Sequence, residues 1–313
     1  MKIKTLLLWI LVLALGGAGY AEYRLAAQVT QAAGAFVYKA RPWAIIRYQR
    51  QLPFLWGGGR AWGLDIEPAG DLRRLLGVPI GYHFTVDELR VHQLSLNPDG
   101  TLALLKFSLM GLRAPVLETQ STKFIVNDQW WRAVPTLSEL GIQELRLDAD
   151  VTLRYDPATQ SLRCAVNLLA PNLGNLYLDQ DYGAGSEVFD GVFKNIALRS
   201  LTLEYADLGW LRQVKELLAQ RNRMDTDAFE IATITSLGQY AIMQKWKWDD
   251  ASEEALRHFV RDPSYGRLTL SPVYDVMLQN LRLYAPGDWF GLLAARFGTE
   301  GKFNHPLPGD ALP

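Results

Sequence analysis

Between residues 144 and 155 the chain alternates without a break. Leu145, Leu147, Ala149, Val151, Leu153 and Tyr155 are apolar at the odd positions, and Glu144, Arg146, Asp148, Asp150, Thr152 and Arg154 are polar at the even ones. Successive side chains of a strand point to opposite faces, so this pattern predicts a long strand with one face buried and one in water. Asp156-Pro157-Ala158-Thr159 follows as turn chemistry: proline pre-sets the bend and the aspartate can accept from nearby amides. A second strand is expected over 162–170, with its apolar set at even positions, and Leu176 and Leu178 begin a third. Short strands joined by tight turns make an antiparallel meander.

The same grammar recurs along the chain. Asn97-Pro98-Asp99-Gly100 joins the run through Leu94 and Leu96 to the run over 102–109, a hairpin signal. Residues 43–48 and 62–66 read as earlier strands around Gly57-Gly58-Gly59. Residues 196–205 read as another, with a phase slip near Arg199-Ser200 that suggests a bulge. Residues 268–270 and 273–283 are the last expected strands. Helical periodicity comes late. Residues 208–220 fit an amphipathic helix, Asp225 can cap a second over 226–244, and Asp250 with Glu253 is spaced as a capping box for a third ending near Arg261. Pro286-Gly287-Asp288 introduces a short helix through Ala295. The expected fold class is therefore α+β: an N-terminal apolar helix followed by a mostly antiparallel β-rich domain with a late helical insertion.

The N-terminal helix in that expectation comes from charge placement. Lys2 and Lys4 precede an apolar run over 6–21 that holds no charge until Glu22. Positive charge ahead of such a run keeps the N-terminus in the cytoplasm and sends the rest across. As a signal peptide the run ends in Gly19-Tyr20-Ala21, a small-x-small cleavage pattern. As an anchor it falls slightly short of the roughly 20 residues a bilayer needs, although the weakly apolar residues 26–36 continue it. Both readings export the remainder, which places the main domain in the periplasm of a bacterial cell, on a single-pass inner-membrane protein if the run is kept. The expected organisation is a signal anchor or signal peptide over 1–22, a juxtamembrane helical segment over 23–42, a β-rich periplasmic domain over 43–298 with helices near 208–262, and a Gly/Pro-rich flexible tail over 299–313.

Composition narrows the function classes. With 49% hydrophobic and 21% charged residues the chain folds rather than staying disordered. A net charge of −1 with interspersed signs leaves no basic stripe for phosphates, which argues against nucleic acid. The single cysteine, Cys164, cannot form an internal disulfide and falls on an apolar strand face with Leu162, Val166 and Leu168, where it reads as buried and inert.

Three segments in order carry a resemblance: "LRYDPATQSLRCAVNLLAPNLGNLYLD", "LTLEYADLGWLRQVKELLA" and "ALRHFVRDPSYGRLTLSPVYDVML". This order resembles a group of uncharacterised bacterial single-pass envelope proteins with a periplasmic β-rich domain, distantly AsmA-like or YdgA-like. The resemblance spans about residues 145–295, through apolar spacing, the Tyr155-Asp156-Pro157 turn and Asp207-Leu208-Gly209. It implies an envelope role and brings no catalytic residues with it.

Chemistry is sparse. His83, His92, His258 and His305 form no His-Glu-x-x-His and no short ligand pair. Asp148 with Asp150, and Asp179 with Asp181, share strand faces and could converge on calcium, but alternating acids are also what a solvated face looks like. Gly57-Gly58-Gly59-Arg60 completes neither phosphate-loop pattern, since Trp62 stands where glycine would be needed, and no Gly-x-Ser-x-Gly occurs. No catalytic, cofactor or metal residue is identified, and the chain is not expected to be an enzyme. The aromatic pairs Trp130-Trp131 and Trp246-Lys247-Trp248, with Lys245, are the candidate contacts for a ligand or a lipid headgroup. The expected function is envelope maintenance by binding a lipid or other apolar ligand. The alternative is a non-catalytic scaffold contacting other envelope proteins. The sequence expectation turns on one point: whether the helices leave a strip of the apolar sheet face uncovered.

Overall fold

The computed structural model describes residues 38, 41–53, 58–117, 135, 137–190, 195–246 and 248–309. The described chain is built on one twelve-stranded antiparallel sheet. Its strands are β1 (Ala44–Arg47), β2 (Arg50–Pro53), β3 (Gly59–Pro68), β4 (Phe84–Leu96), β5 (Leu102–Pro115), β6 (Glu144–Asp156), β7 (Ser161–Ala170), β8 (Gly174–Gly183), β9 (Ala197–Asp207), β10 (Tyr265–Leu270), β11 (Val276–Met277) and β12 (Arg296–Gly298). The main path runs β1-β3-β4-β5-β6-β7-β8-β9-β10-β12, with β2 paired to β3 and β11 to β9. β4 to β6 hold 13 or 14 residues each, roughly 40 Å of extended chain at about 3.3 Å per residue.

The helices are few. α1 (Gly70–Leu76) lies beside β1, α2 (Trp210–Arg221), α3 (Thr226–Met243) and α4 (Asp250–Arg261) separate β9 from β10, and α5 (Leu278–Leu281) and α6 (Pro286–Leu292) lie before β12. The expected α+β class is thus corrected to a mostly β fold. α2 packs on α3, α3 on α4, and α4 on the short edge strand β12. They form a small cluster at one end rather than a layer, because β9 pairs directly with β10 across the whole helical stretch, from Tyr265 opposite Ala206 to Leu270 opposite Leu201. The N-terminal apolar helix of that expectation falls outside the described residues. Among the described residues no helix is long and apolar enough to cross a membrane, and residues 1–37 lie outside them.

Register confirms the opening pattern. Val151 faces Phe107 on one side and Val166 on the other, while Asp150 faces Ser108 and Asn167. One face is therefore continuous apolar surface across β4 to β8, and the other is polar. The bulge expected near Arg199 is present, where the β8–β9 register shifts between Asp181 and Tyr182. The expected strand over 273–283 is not: only Val276 and Met277 pair, and the chain then turns into α5. The two residues of β11 meet the far end of β9, beyond β10, so no longer ladder has a partner there.

Cover is distributed against expectation. Residues 305–309 cross the polar face: the Asn167 side-chain amide donates to the Pro306 carbonyl at 2.6 Å, the Gly309 amide donates to Asp150 at 3.1 Å, and His305 stacks on Tyr177 with ring centroids 3.6 Å apart. This buries Ser108 and Asn167 on the polar side. On the apolar side Val86, Ala149 and Tyr155 are buried, but Leu105, Phe107, Leu109, Val151, Val166 and Leu178 are only half-buried.

Candidate apolar-ligand site

The longest helix, α3, opens with Asp225, whose carboxylate accepts from the Ala228 amide at 2.7 Å. Past Glu230 it carries no charge through Met243. It ends in a paired set of backbone bonds, Lys245 N to Ile242 O at 3.1 Å and Trp246 N to Ala241 O at 2.9 Å, with Lys245 in the left-handed region at φ 55°. Glycine is the usual occupant of that position. A cation there interacts favourably with the negative end of the helix dipole, and Arg223 does the same at the end of α2.

The reversal at Lys245 turns the chain so that Trp246 and Trp248 come together. Their ring centroids are 5.8 Å apart at 22°, and Phe290 of α6 packs against both, at 4.8 and 4.7 Å. Tyr240 meets Trp246 edge-on at 5.3 Å. Asp249 then caps α4, accepting from the Ser252 amide at 2.7 Å, one residue earlier than the expected cap at Asp250. Hydrogen bonding from the Ser252 side chain, and then from its amide, holds the Asp249 carboxyl below the usual carboxylate range.

Between α3 and α4 this arrangement leaves a cavity of about 500 Å³. Ile234, Leu237 and Ala241 form one wall, Leu256 and Val260 the other, with Trp246 and Trp248 between them. Gly238 lines it as well, and a side chain grown from Gly238 would meet nothing within 4 Å. At the mouth sit exposed Lys245 and the Glu253–Arg257 pair, 2.6 Å apart on successive turns of α4. The indole N–H groups of Trp246 and Trp248 are buried without a hydrogen-bond acceptor among the described residues. An apolar cavity of this volume with a few polar groups at its mouth has the make-up of a small-ligand site. Of the residues singled out from the sequence, Lys245, Trp246 and Trp248 meet here, while Trp130, Trp131 and Lys247 lie outside the described residues.

Register also assembles a group that sequence spacing hid. His92 donates from Nε2 to the Ser108 hydroxyl at 2.6 Å, and Ser108 in turn donates to Asp150. The residue types are those of a hydrolase triad, but the order is wrong. In a triad the histidine accepts the serine proton and the carboxylate orients the histidine. Here the carboxylate takes the serine proton, so the His92 Nε2 facing Ser108 is a donor and cannot serve as its base. Burial, with Arg90 nearby, holds the His92 imidazole below its ordinary value, and Ser108 is 2% exposed. This group fastens strands β4, β5 and β6 together.

The acidic pairs likewise have structural partners: Asp148 accepts from the Gly111 amide at 2.6 Å, Asp179 pairs with Arg163, and Asp181 accepts from Ser161. No cluster of metal-ligating side chains occurs among the described residues. Cys164 is half-buried on the apolar face and burial pushes its thiol up, away from reactivity. Asp207 explains the Asp-Leu-Gly motif: it accepts from the Gly209 and Leu211 amides and starts α2. The chain matches no family model, no curated protein and no solved structure.

Proposed function

We propose that the protein acts by binding an apolar ligand, such as a lipid acyl chain, in the cavity between α3 and α4, and not by catalysis. The observation that carries this reading is the cavity itself: about 500 Å³, apolar-walled, with an exposed lysine at its mouth. A chain carrying a carboxylate or phosphate would bury its apolar part against Trp246, Trp248 and Leu237 and leave its head at Lys245. Burial of apolar surface would drive the association, and the cation would set the orientation. The envelope location is a proposal resting on Lys2, Lys4 and the uncharged run that follows. Acyl chains are the abundant apolar ligands of that compartment.

The test is displacement of a fluorescent fatty-acid probe from the full-length protein, with energy transfer from the indoles as the signal. Gly238→Phe places a ring in the open space of the cavity and should weaken probe binding at least ten-fold with the thermal melt unchanged. Equal binding by the filled variant would remove the cavity from the account. The scaffold reading has one observation in its favour, the half-buried apolar face of β4 to β8. It gains ground if no probe binds and an envelope protein cross-links at that face.

A further inference from the structure

Beside the cavity, the end of α3 and the segment leading into α6 carry exposed apolar side chains, of which Ile242 also lines the cavity. At the end of α3, Ile242 is 79% exposed and Met243 56%. Leu283 is 74% exposed, and Tyr284 and Trp289 are partly so. These two segments are held together at the backbone: Gly287 sits against the Gln244 carbonyl so closely that any added Cβ would collide with it, at 1.9 Å. Phe290 locks behind Trp246 and Trp248, and the Trp289 indole donates to the Leu281 carbonyl at 2.9 Å, tying α6 to α5. Isolated exposed apolar side chains are ordinary, but a group of them on two segments joined at Gln244 and Gly287 marks an interaction surface.

The charge around the patch selects the partner. Segments 237–248 and 276–287 contain Lys245, Lys247 and Arg282 and not one Asp or Glu. Lys245 and Arg282 are both exposed. The nearest acids each have a partner or a place in the fold: Asp249 caps α4, Asp275 pairs with Arg199 at 3.2 Å, Asp288 stands at the start of α6, and Glu253 pairs with Arg257. Aliphatic side chains, a tyrosine and a tryptophan beside two exposed cations that no acid in the described residues pairs within salt-bridge distance are the combination that suits the interface of an anionic bilayer: apolar groups enter the acyl boundary, aromatic rings sit at headgroup depth, and cations meet phosphates.

We infer that Ile242, Met243, Leu283 and Tyr284, with Lys245 and Arg282, form a docking surface for an anionic lipid bilayer, which brings the mouth of the α3–α4 cavity against the headgroups. The inference rests on the proposed ligand role for its purpose. Its test reads the bilayer contact directly, so the cavity could fail while the docking holds.

The experiment uses full-length protein in which Cys164→Ser removes the native thiol. An environment-sensitive fluorophore is placed at Met243→Cys, at Leu283→Cys, or at Ala158→Cys in the β6–β7 turn, which lies outside the proposed surface. Each is mixed with vesicles of phosphatidylcholine alone or with phosphatidylglycerol, in which the acyl chains carry bromine as a contact quencher. A probe position is read rather than overall binding, so attachment through another part of the chain does not mimic the result. Docking predicts quenching at 243 and 283 in the anionic vesicles and none at 158. Lys245→Glu with Arg282→Glu should bring the quenching at 283 down to that of the control position, whereas Gly238→Phe should leave it intact. Quenching at 243 and 283 no greater than at 158, or equal in neutral and anionic vesicles, overturns the inference and leaves the patch as a surface for a protein.

Discussion

Val86 and Val151 have the same side chain and lie on the same apolar face, but their surroundings differ. Val86 is 1% exposed, between Leu64 of β3 and Leu112 of β5, whereas Val151 is half-buried between Phe107 and Val166. Truncation removes two methyl groups in each case, and the cost scales with how completely they are shielded and how little the site can relax. Val86→Ala should lose about 2 kcal/mol and Val151→Ala about half of that, as read from denaturant midpoints. Equal losses would mean that the central apolar face is as closed as the rim. Tyr265 gives a pH prediction. Burial, together with the hydrogen bond it donates to Glu204 at 3.0 Å, pushes its hydroxyl up to about 12. A raised folded value means that the neutral phenol is favoured by folding. Its stabilisation is complete below the ordinary value of 10 and is lost as pH rises from 10 towards 12. Other tyrosines share that direction, so the informative quantity is a difference. Tyr265→Phe should lower the melting temperature below pH 10, and the gap to the wild-type protein should close by pH 12. A gap independent of pH would assign the effect to packing alone.

At the scale of elements, the C-terminal stretch behaves like an additional layer. Pro306 takes the Asn167 amide, Gly309 gives its amide to Asp150, and His305 lies 3.3 Å from Glu204 while stacking on Tyr177. Each hydrogen bond of this kind contributes about 1 kcal/mol, and removing the stretch would uncover polar groups that now have partners. Deleting residues 303–313 should therefore destabilise the fold by on the order of 3 kcal/mol and raise protease sensitivity in β7 and β8, measured by limited proteolysis with mass spectrometry. A truncated chain as stable as the full one would make the stretch an ornament. The strands themselves were legible because their information is local. Asn97 to Gly100 and Asp156 to Thr159 form their turns with the bonds expected of them, Thr101 N to Asp99 at 2.9 Å and Ala158 N to Asp156 at 2.9 Å. The segment 273–283 shows the limit. Its apolar residues satisfy a strand pattern, yet a strand needs a partner edge, and β9 offers only the two positions opposite Val276 and Met277.

The whole molecule is an open sheet whose polar face is covered by its own C-terminal stretch and whose helices gather at one end. Open sheets of about ten strands tend to curl, and the bulges recorded between β4 and β5, β5 and β6, and β8 and β9 are places where bending concentrates. At this scale the proposed location can be tested by fusion. Alkaline phosphatase, which folds to an active enzyme only outside the cytoplasm, should be active when joined after residue 42. An inactive phosphatase with an active cytoplasmic reporter at the same junction would remove the envelope from the account.

Alternation with period two needs nothing beyond neighbouring residues, so the sequence by itself determined which face of β6 and β7 is apolar, where the hairpins turn, and that Asp225 starts a helix. A mostly β class and the helices drawn into a cluster follow from pairing β9 with β10 across some sixty residues, from Asp207 to Tyr265. The candidate site shows the same division. Two tryptophans and a lysine at 245–248 could be named from composition, but not the cavity beside them, because its walls are the facing sides of α3 and α4 and its lock is Phe290. The His92–Ser108–Asp150 group was invisible for the same reason: its members stand on three strands, and only the register of the folded sheet places one hydroxyl between an imidazole and a carboxylate. Local periodicity is written in the order of the residues, whereas contact between distant elements is decided by the hydrogen-bond ladder and the packing that complete them.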